Sequence, residues 1–587
     1  MSEGKKVKVK INGILVEAPE GSTVLDAAVL AGVRIPTLCY LKDINAVASC
    51  RLCICEVKGA RSWCAACVHP VEENRDGSPM EVLTNTPELV DSRRRTLELI
   101  LSDHRTDCLS CVRSTDCELQ TLCQEYGVDQ RKYNSPPIEL DIDDSSVHLV
   151  RDNSKCILCR KCSAVCRNRQ YTGVIGPNYR GYKTNIASAF GAPLAERPCI
   201  HCGQCIAVCP TGALSDKDDT DKAWAAINDP TKHVVVAPAP SVRVQLGECF
   251  GMPIGENVDG KMIAALKRLG FDMVFDIDTA ADLTIMEEGA ELVSRIKNGG
   301  KLPQITSCSP GWVTFCETYY PEFMENLSTC KSPQGMFGAV VKTYYAEKAG
   351  IDLKDLVVVT IMPCTAKKFE ANRPELGRNG YQDIDIVLTT REFAGMIKRA
   401  GIEFKNLPDE EADPVFGIAT GAGHIFGVTG GVMEAALRTV YESATGKELK
   451  KVDFEGVRGV ADIKEAEYDL DGTKVKVAVT SGLNNAAKLL DMVKAGEKDY
   501  TFIEVMCCPG GCVNGGGQPI QPSYVRNTTD LRADRAKGLY SLDAGLKLRK
   551  AHENPCLKEL YGSYMGQPNG KKAHELLHTK FVKREIY

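Results

Sequence analysis

Two stretches of the chain carry four cysteines each with the same spacing, C-x2-C-x2-C-x3-C. Thiolates are the ligands that iron–sulfur clusters require, because soft sulfur donors hold iron and disperse its charge. With this spacing, the fourth cysteine of each run ligates the cluster of the other run. The sequence therefore predicts two 4Fe–4S clusters, one held by Cys156, Cys159, Cys162 and Cys209, the other by Cys199, Cys202, Cys205 and Cys166.

Four further cysteines lie near the N-terminus, with gaps of ten, two and thirteen residues between them. They follow a β-hairpin predicted by the alternating pattern of residues 7–17 and a helix predicted over residues 21–33. This order of elements resembles the 2Fe–2S domain at the start of complex I and of hydrogenase electron-entry subunits. The resemblance implies a 2Fe–2S cluster on Cys39, Cys50, Cys53 and Cys67, with Cys64 as an alternative to Cys67.

A histidine and three cysteines come next, in the pattern H-x3-C-x2-C-x5-C. Three thiolates and an imidazole suit tetrahedral zinc, and they also suit a 4Fe–4S cluster with one histidine ligand. The other iron–sulfur signals on the chain favour the 4Fe–4S cluster, and zinc is the alternative. The expected ligands are His104, Cys108, Cys111 and Cys117, which leaves Cys123 outside the pattern.

From about residue 220 onward, apolar runs alternate with helical patterns, which indicates an α/β unit with buried, mostly parallel strands. Ligand sites in such sheets form beyond the carboxyl ends of the strands. Three cysteine-containing stretches follow predicted strands: TSCSPGW at 306–312, IMPCTAKKFE at 361–370 and EVMCCPGGC at 504–512. The strands are predicted at residues 234–240, 272–277, 355–363, 385–390, 474–481 and 501–506.

These three stretches resemble the three signature motifs of FeFe hydrogenases, and the likeness extends over nearly the whole chain. The resemblance implies an H-cluster, which is a 4Fe–4S cubane joined to a di-iron unit with carbonyl, cyanide and azadithiolate ligands. The expected cubane ligands are Cys364, Cys508 and Cys512, the last of which bridges to the di-iron unit. The expected neighbours of the di-iron unit are Lys367, as a hydrogen-bond donor to a cyanide, and Met362 and Met506.

The first motif departs from the family pattern. FeFe hydrogenases have Thr-Ser-Cys-Cys-Pro there, with a first cysteine that relays protons and a second that ligates the cubane, whereas this chain has Cys308 followed by Ser309. An alkoxide is a harder donor than a thiolate and suits iron–sulfur ligation poorly. The fourth cubane position is therefore left to Ser309, to Cys308 after a shift of the loop, or to no protein ligand.

The same resemblance implies a proton route built from Cys308, Glu288, Ser328, Glu291 and Arg295. Glu288 and Glu291 are three residues apart, which places them on one face of a helix. A thiol and carboxylates can carry the protons that heterolytic cleavage of H2 releases. A solvated helix face is the alternative interpretation of the two glutamates.

Glycines 510, 511 and 515–517 are expected to let the backbone approach a bulky cofactor, because a Cβ atom would collide with it. The stretch GAGHIFGVTGG at 421–431 contains no phosphate-binding pattern and predicts close packing near the cluster. Cysteines outside any pattern are expected to be packing residues, namely Cys55, Cys64, Cys249, Cys316, Cys330, Cys507 and Cys556.

The predicted architecture is a multidomain chain of α+β and α/β units. Its expected parts are a β-grasp 2Fe–2S domain at 1–85, a 4Fe–4S domain with one histidine and three cysteine ligands at 86–130, a bacterial two-cluster ferredoxin domain at 131–218, a two-lobed α/β H-cluster domain at 219–545 and a C-terminal segment at 546–587 that resembles hydrogenase small subunits.

The composition limits the possible functions. The chain has 27 cysteines, too many for packing residues, and disulfides are rare in reducing compartments, so metal ligation is favoured. A net charge of −5 argues against a nucleic-acid partner. The first residues lack the apolar segment of a signal peptide, and no stretch approaches the ~20 apolar residues of a membrane span, so a cytoplasmic location is expected.

The resulting hypothesis is the catalytic subunit of an FeFe hydrogenase, which interconverts H2 with protons and electrons. The expected cofactors are one 2Fe–2S cluster, three 4Fe–4S clusters and the H-cluster. The resemblance implies flavin- and iron–sulfur-containing NAD(P)-reducing subunits as partners, with ferredoxin as a further electron carrier in bifurcation. Because the chain has no nucleotide-binding loop, the nicotinamide chemistry would need such another subunit. The alternatives are a stand-alone ferredoxin-dependent hydrogenase and a non-catalytic iron–sulfur electron-transfer scaffold.

Overall fold

A computed structural model describes residues 5–128, 132–133, 140, 142–470 and 472–586. The predicted boundary between the second and third domains, at residues 130 and 131, lies outside the described residues. Within the described ranges, small cysteine-rich units precede a large α/β unit and a short helical C-terminal segment. The predicted fold class, iron–sulfur domains followed by a mixed α/β unit, is confirmed.

The N-terminal unit contains the predicted hairpin and helix. Strands Lys6–Ile11 and Ile14–Pro19 pair antiparallel around a turn in which Asn12 and Gly13 have φ of 49° and 86°. Thr23 caps the following helix, Val24–Leu30, and its side chain accepts a hydrogen bond from the Asp26 N–H. The five-stranded sheet has the order Ile14–Pro19, Lys6–Ile11, Met80–Leu83, Ile54–Val57, Cys64–Ala65.

Helices Pro87–Leu101 and Glu118–Glu125 lead into the ferredoxin-like unit. Each cysteine run of that unit opens a short helix, Lys161–Asn168 or Gln204–Ala207. The segment between the two runs contains a two-stranded hairpin, Ile175–Asn178 with Asn185–Ser188. A small three-stranded sheet completes the unit, in the order Leu214–Asp216, Leu149–Asp152, Ile142–Asp143.

The large unit contains two four-stranded sheets, each mostly or wholly parallel. The first is parallel throughout, with the order Met273–Val274, His233–Pro238, Leu356–Met362, Ile386–Thr389. The second has the order Gln304–Ile305, Phe502–Met506, Thr473–Ser481, Ile463–Leu470, and only its last pair is antiparallel. The strands His233–Pro238, Leu356–Met362, Ile386–Thr389 and Phe502–Met506 are almost entirely buried and mostly apolar. The edge strand Ile463–Leu470 is instead largely exposed or half-buried and carries charged residues.

Helices cover both sheets. They are Thr220–Ile227, Asp259–Leu269, Ile277–Asn298, Pro310–Tyr319, Pro333–Val340, Ala346–Ala349, Ala366–Ala371, Thr390–Arg399, Gly421–Ile425, Gly431–Thr445, Leu483–Lys494, Ser523–Thr528 and Leu531–Gly545. The helix Ile277–Asn298 is the longest described, and most of its first half is buried.

One predicted strand is much shorter in the structure. Residues 272–277 pair only through Met273–Val274, and the helix Ile277–Asn298 begins directly afterwards. The side chain of Asp276 accepts a hydrogen bond from the Asp278 N–H and binds the guanidinium of buried Arg243. The capping carboxylate therefore ends the strand where the apolar pattern alone would continue it.

The C-terminal segment contributes helices Pro555–Leu560 and Lys571–Leu577 and then returns to the large unit. There the Arg584 N–H donates to the carbonyl of Glu317, and the carboxylate of Glu317 accepts from the Arg584 guanidinium at 2.7 Å. Among the helices that the structure describes, none combines the length and the apolar character that crossing a bilayer requires.

Candidate active site

The three cysteine motifs of the large unit meet at one cavity between the two sheets. Gln304–Ile305 and Phe502–Met506 are neighbours in the second sheet, whereas Leu356–Met362 belongs to the first. The carboxyl ends of all three strands lead into loops that line this space, which we call the catalytic cavity. The predicted residues that line it are Cys308, Ser309, Met362, Cys364, Lys367, Met506, Cys508 and Cys512.

The cysteines of the catalytic cavity have the properties of a metal-ligand set. Burial raises the pKa of Cys364 far above its ordinary value, and the charges of Cys508 and Cys512 raise it further. Burial likewise raises the pKa of Cys512 to about 12. Several thiolates in so dry a place are unfavourable unless a cation binds them, so the donor set fits an iron–sulfur cubane.

The ammonium group of Lys367 is held in place at the wall of the catalytic cavity. It donates to the hydroxyl of Ser332 at 2.7 Å, to the carboxylate of Glu370 at 2.8 Å and to the carbonyl of Cys308 at 3.2 Å. Ser332 is itself fixed as the N-cap of the helix Pro333–Val340. An ammonium anchored in this way can donate to an anionic group in the cavity, which is the role predicted for it.

Cys507 belongs to no cysteine spacing pattern, yet it contacts two predicted cluster ligands. Its thiol lies among the sulfur atoms of Cys202 and Cys508, and hydrogen bonds to both raise its pKa. Its N–H donates to the hydroxyl of Ser309 at 3.2 Å. Cys507 therefore joins a predicted cubane ligand to a ligand of the nearer ferredoxin-type cluster, so it is more than a packing residue. The adjacent cysteines at 507 and 508 were the only sequence signal.

Gly511 and Gly515 of the third motif line the catalytic cavity, and the glycines of this motif also let separate segments of the backbone approach one another closely. A Cβ atom on Gly516 would lie 2.2 Å from the carbonyl oxygen of Cys202, and one on Gly515 would lie 2.2 Å from that of Pro363. Gly511 has a φ of 96°, a conformation that side chains disfavour. The loop therefore packs directly against the ferredoxin-like unit and against the second motif.

Ser241, Gln334 and Phe426 also line the catalytic cavity, although no motif indicated them. Gln334 donates to the carbonyl of Lys367 at 3.2 Å and to Glu370 at 3.1 Å, so it supports the lysine. Phe426 and its neighbour Gly427 belong to the glycine-rich stretch 421–431, which packs beside the site as predicted. Ser241 and Gln334 are recognised as lining residues only from the tertiary structure.

Cys308, the first residue of the predicted proton route, lines the catalytic cavity, and the other residues of the route lie outside its lining. Burial raises the pKa of Cys308 far above its ordinary value, and the charge of Glu288 raises it further. Burial also raises the pKa of Glu288 to about 8, the charge of Glu291 adds to the rise, and the hydroxyl of Ser328 opposes it. Both carboxylate oxygens of Glu288 are buried without a hydrogen-bond partner among the described residues. A group in this state can gain and lose a proton near neutral pH.

Glu291 is the most strongly bound member of that route. It accepts from the Ser328 hydroxyl at 2.8 Å and from a guanidinium nitrogen of Arg295 at 2.6 Å. The Thr329 N–H also donates to it, at 3.1 Å. Glu288 and Glu291 face the protein interior, so the solvated-face interpretation does not describe them.

The four N-terminal cysteines predicted for the 2Fe–2S cluster lie together. The sulfur atoms of Cys53 and Cys67 are 3.4 Å apart, and a hydrogen bond with Cys50 lowers the pKa of Cys39 to about 5. Cys64 instead lies 3.2 Å from the sulfur of Cys55, on the neighbouring strand. This geometry favours Cys67 over Cys64 as the fourth ligand.

The His104 site also has the character of a ligand set. Burial lowers the pKa of His104 to about 4, and the ammonium of Lys155 adds to the effect, which keeps the imidazole neutral and able to bind metal. Its Nδ1 is buried without a partner among the described residues. Burial raises the pKa of Cys117 and the charge of Cys111 contributes, so these thiols lie near each other.

The eight cysteines of the ferredoxin-like unit fall into two crossed groups. Burial is the main reason why the pKa values of Cys199 and Cys205 are raised, and the charge of Cys166 raises them further. Burial likewise raises the pKa values of Cys156 and Cys162, and the charge of Cys209 adds to the rise. The grouping is the one that the crossed ligation pattern requires.

Direct contacts join these sites into a branched series. The side chain of Asn45 donates to the carbonyls of Cys39 at 2.7 Å and Cys159 at 3.1 Å, which links the 2Fe–2S site to the first ferredoxin-type site. Cys117, from the His104 site, contacts the carbonyl of Pro210 at 3.7 Å. On the opposite side, Gln204 donates to the carbonyl of Asn514 at 2.7 Å, beside the catalytic cavity.

Five family models match successive parts of the chain. They are a 2Fe-2S iron-sulfur cluster binding domain at residues 4–86, the NADH-ubiquinone oxidoreductase-G iron-sulfur binding region at 93–132, a 4Fe-4S dicluster domain at 155–213, the C-terminal domain of the iron only hydrogenase large subunit at 232–516 and the iron hydrogenase small subunit at 529–584.

The chain is 48% identical to the NADP-reducing hydrogenase subunit HndD of Solidesulfovibrio fructosivorans over 98% of this chain and 99% of that protein. The chain belongs to the FeFe hydrogenase family. The hydrogenase is also 43% identical to iron hydrogenase 1 of Clostridium pasteurianum, over 98% and 99% of the two chains. The solved structure of a variant of FeFe hydrogenase HydA1 from Chlamydomonas reinhardtii matches 62% of this chain and 98% of its own, with 43% identity and a TM-score of 0.55.

This hydrogenase is an oxidoreductase that acts on H2 and carries iron–sulfur domains for electron transfer. The family assignment agrees with the resemblance recognised from the sequence motifs. It also agrees with the geometry, since the three motif loops and the thiols that they carry share one buried cavity.

Proposed function

We propose that this chain is the catalytic subunit of a multisubunit FeFe hydrogenase coupled to NAD(P). The observation that carries the proposal is the convergence of Cys364, Cys508 and Cys512 on one cavity that Lys367 also borders. The near-complete alignment with a subunit named NADP-reducing hydrogenase supports the coupling. Flavin- and iron–sulfur-containing subunits would then reduce the nicotinamide, with ferredoxin as a further electron carrier.

The proposed cofactors are one 2Fe–2S cluster, three 4Fe–4S clusters and an H-cluster. When bound, the H-cluster supplies the metal centre at which H2 is split heterolytically. Cys364, Cys508 and Cys512 would hold its cubane, and Ser309, which lines the same cavity, would lie at the fourth position. Lys367, Met362 and Met506 would line the space for the di-iron unit. The Cys507 N–H bound to the Ser309 hydroxyl orients that side chain and leaves Cys308 available for proton transfer.

In the proposed mechanism, Cys308 would give its thiol proton to the carboxylate of Glu288 and would then take up the proton that is released in the catalytic cavity, which restores the thiol. Burial keeps the pKa of Glu288 near the operating pH, so this carboxyl can hold the proton and release it. Ser328 lies beside both glutamates, donates to Glu291 and connects the two carboxyls. The roles of these residues follow from their positions at matching points of the family motifs.

Electrons would leave through the branched series of clusters. The second ferredoxin-type site adjoins the catalytic cavity, and the first adjoins both the 2Fe–2S site and the His104 site. Two outer clusters provide two points at which redox partners can exchange electrons, which suits a multisubunit enzyme. A cytoplasmic location is proposed with it, because so many reduced thiols need a reducing compartment.

Infrared spectroscopy and iron counting on the maturated chain test the catalytic assignment. Iron-bound CO and CN absorb where protein does not, so the active chain should show those bands. Cys512→Ala should lose them, whereas Cys249→Ala, which lies outside the cavity lining, should retain them. A maturated chain without these bands would favour the scaffold alternative.

The partner proposal needs its own experiment. Affinity purification of the chain from its native cells under anaerobic conditions should recover a flavoprotein and H2-dependent reduction of NAD or NADP. Recovery of the chain alone, with H2-dependent reduction of ferredoxin, would support the stand-alone alternative and contradict the proposed coupling.

A further inference from the structure

Beyond Glu291, the proton route needs a group that can both accept and release a proton. Arg295 cannot be that group, because a guanidinium stays protonated in proteins. Its side chain is also fully engaged by Glu291 and by backbone carbonyls, those of Lys301, Glu325, Asn326 and Leu327. Arg295 therefore anchors the carboxylate of Glu291, and a different residue must carry protons to the solvent.

The C-terminal segment brings His578 to this point. Its backbone pairs with the segment that follows Ser328: the Lys331 N–H donates to the Leu577 carbonyl at 2.8 Å, and the Thr579 N–H donates to the Thr329 carbonyl at 2.7 Å. As a result, a ring nitrogen of His578, the sulfur of Cys330 and a carboxylate oxygen of Glu291 all lie within 4.8 Å of one another. A single water molecule can bridge a gap of this size.

The imidazole of His578 is held in one orientation from both sides. Its Nδ1 is 2.7 Å from the hydroxyl of Thr329, and its Nε2 is 3.4 Å from a carboxylate oxygen of Glu287. Glu287 is completely buried and accepts hydrogen bonds from the Tyr561 hydroxyl and from the Asn569 N–H at 2.7 Å. A fixed ring between two carboxylates is suited to proton exchange rather than to simple packing.

His574 connects this buried ring to the surface. The two ring centroids are 4.0 Å apart, and His574 is exposed whereas only 5% of the His578 side chain is. Burial lowers the pKa of His574, and the charge of His578 lowers it further. Two adjacent imidazoles resist being charged together, so a proton that reaches one tends to be released from the other.

We propose that His578 and His574 form the outer end of the proton route, and the proposal rests on the assignment of Glu291 to that route. During H2 oxidation, Glu291 gives a proton to His578, and the imidazole pair releases one to the solvent; the direction reverses during H2 production. The titratable groups that face His578 are Glu287, Glu291, Cys330, Tyr561 and His574. The C-terminal segment thus completes the catalytic machinery.

The test compares His578→Gln and His574→Gln with the control His552→Gln in maturated enzyme. His552 lies in the same C-terminal segment but contacts Glu442, at 2.8 Å. His578→Gln should slow H2 oxidation by about tenfold or more, since positioned acid–base groups contribute roughly 10²–10⁴-fold. It should also slow the release of protons to a pH-indicator dye after rapid mixing with H2. Added imidazole should restore part of the rate, and the control should behave as the original chain.

Infrared bands and iron content separate a proton-transfer defect from a structural one. Retained bands with slow, imidazole-rescued proton release support the proposal. Lost bands in His578→Gln would show that the residue is structural and would overturn it. Unchanged proton release in His578→Gln, together with inactive Glu291→Gln, would overturn the histidine exit but leave the inner route intact. Full activity in Glu291→Gln would instead reject the inner route.

Discussion

Replacement of Glu288 by glutamine tests whether the carboxyl is held neutral by its surroundings. Because the folded pKa of about 8 exceeds the ordinary value of 4.5, ionisation of this group opposes folding. The folded chain should therefore lose stability as the pH rises from about 4.5 through about 8. At about 1.4 kcal/mol per pKa unit, the whole difference corresponds to about 5 kcal/mol, and glutamine removes this dependence.

The assay is anaerobic urea unfolding of the full chain purified without maturation, followed by tryptophan fluorescence at several pH values. Glu288→Gln should gain stability relative to the original chain as the pH rises, with most of the gain between about pH 5 and pH 8. Glu497→Gln makes the same change at an exposed position and provides the control. If the stability difference of Glu288→Gln depended on pH no more than that of the control, the reasoning from burial would be refuted.

Three further changes test other parts of the structure. Gly516→Ala should destabilise the chain by about 1–3 kcal/mol, because its Cβ would lie 2.2 Å from a carbonyl oxygen, whereas Gly545→Ala should have little effect; equal unfolding midpoints would contradict the close approach. Cys67→Ser should reduce the 2Fe–2S signal in electron paramagnetic resonance and Cys64→Ser should not; the reverse result would exchange their roles. Ser309→Cys should increase the iron retained on dilution by adding a soft ligand, and unchanged retention would argue that residue 309 does not face the cubane.

The cluster sites follow closely from the sequence because their information is local. Residues such as Cys156, Cys159 and Cys162 lie a few positions apart, so the backbone alone brings their sulfur atoms near one another. The α/β fold of the large unit and the position of its site could also be inferred from the sequence. Its buried strands are mostly apolar, and the position of sites at the carboxyl ends of parallel strands predicted a site at the three motifs before any distance was known.

Other features depend on residues that are far apart in the chain. Cys507 has no spacing pattern, yet folding places it between Cys202 and Cys508. The glycines of the third motif meet other loops, which no local rule could indicate.

The amino-acid sequence by itself determined which residues can hold iron and sulfur, since ligand type and short spacing are written directly in it. Tertiary structure alone decided the environment of those residues: the burial that keeps Glu288 neutral, and the return of the C-terminal segment that sets His578 beside Glu291. The physical reason is that a proton's free energy depends on the surrounding charges and on the exclusion of water, and both arise only when distant parts of the chain pack together.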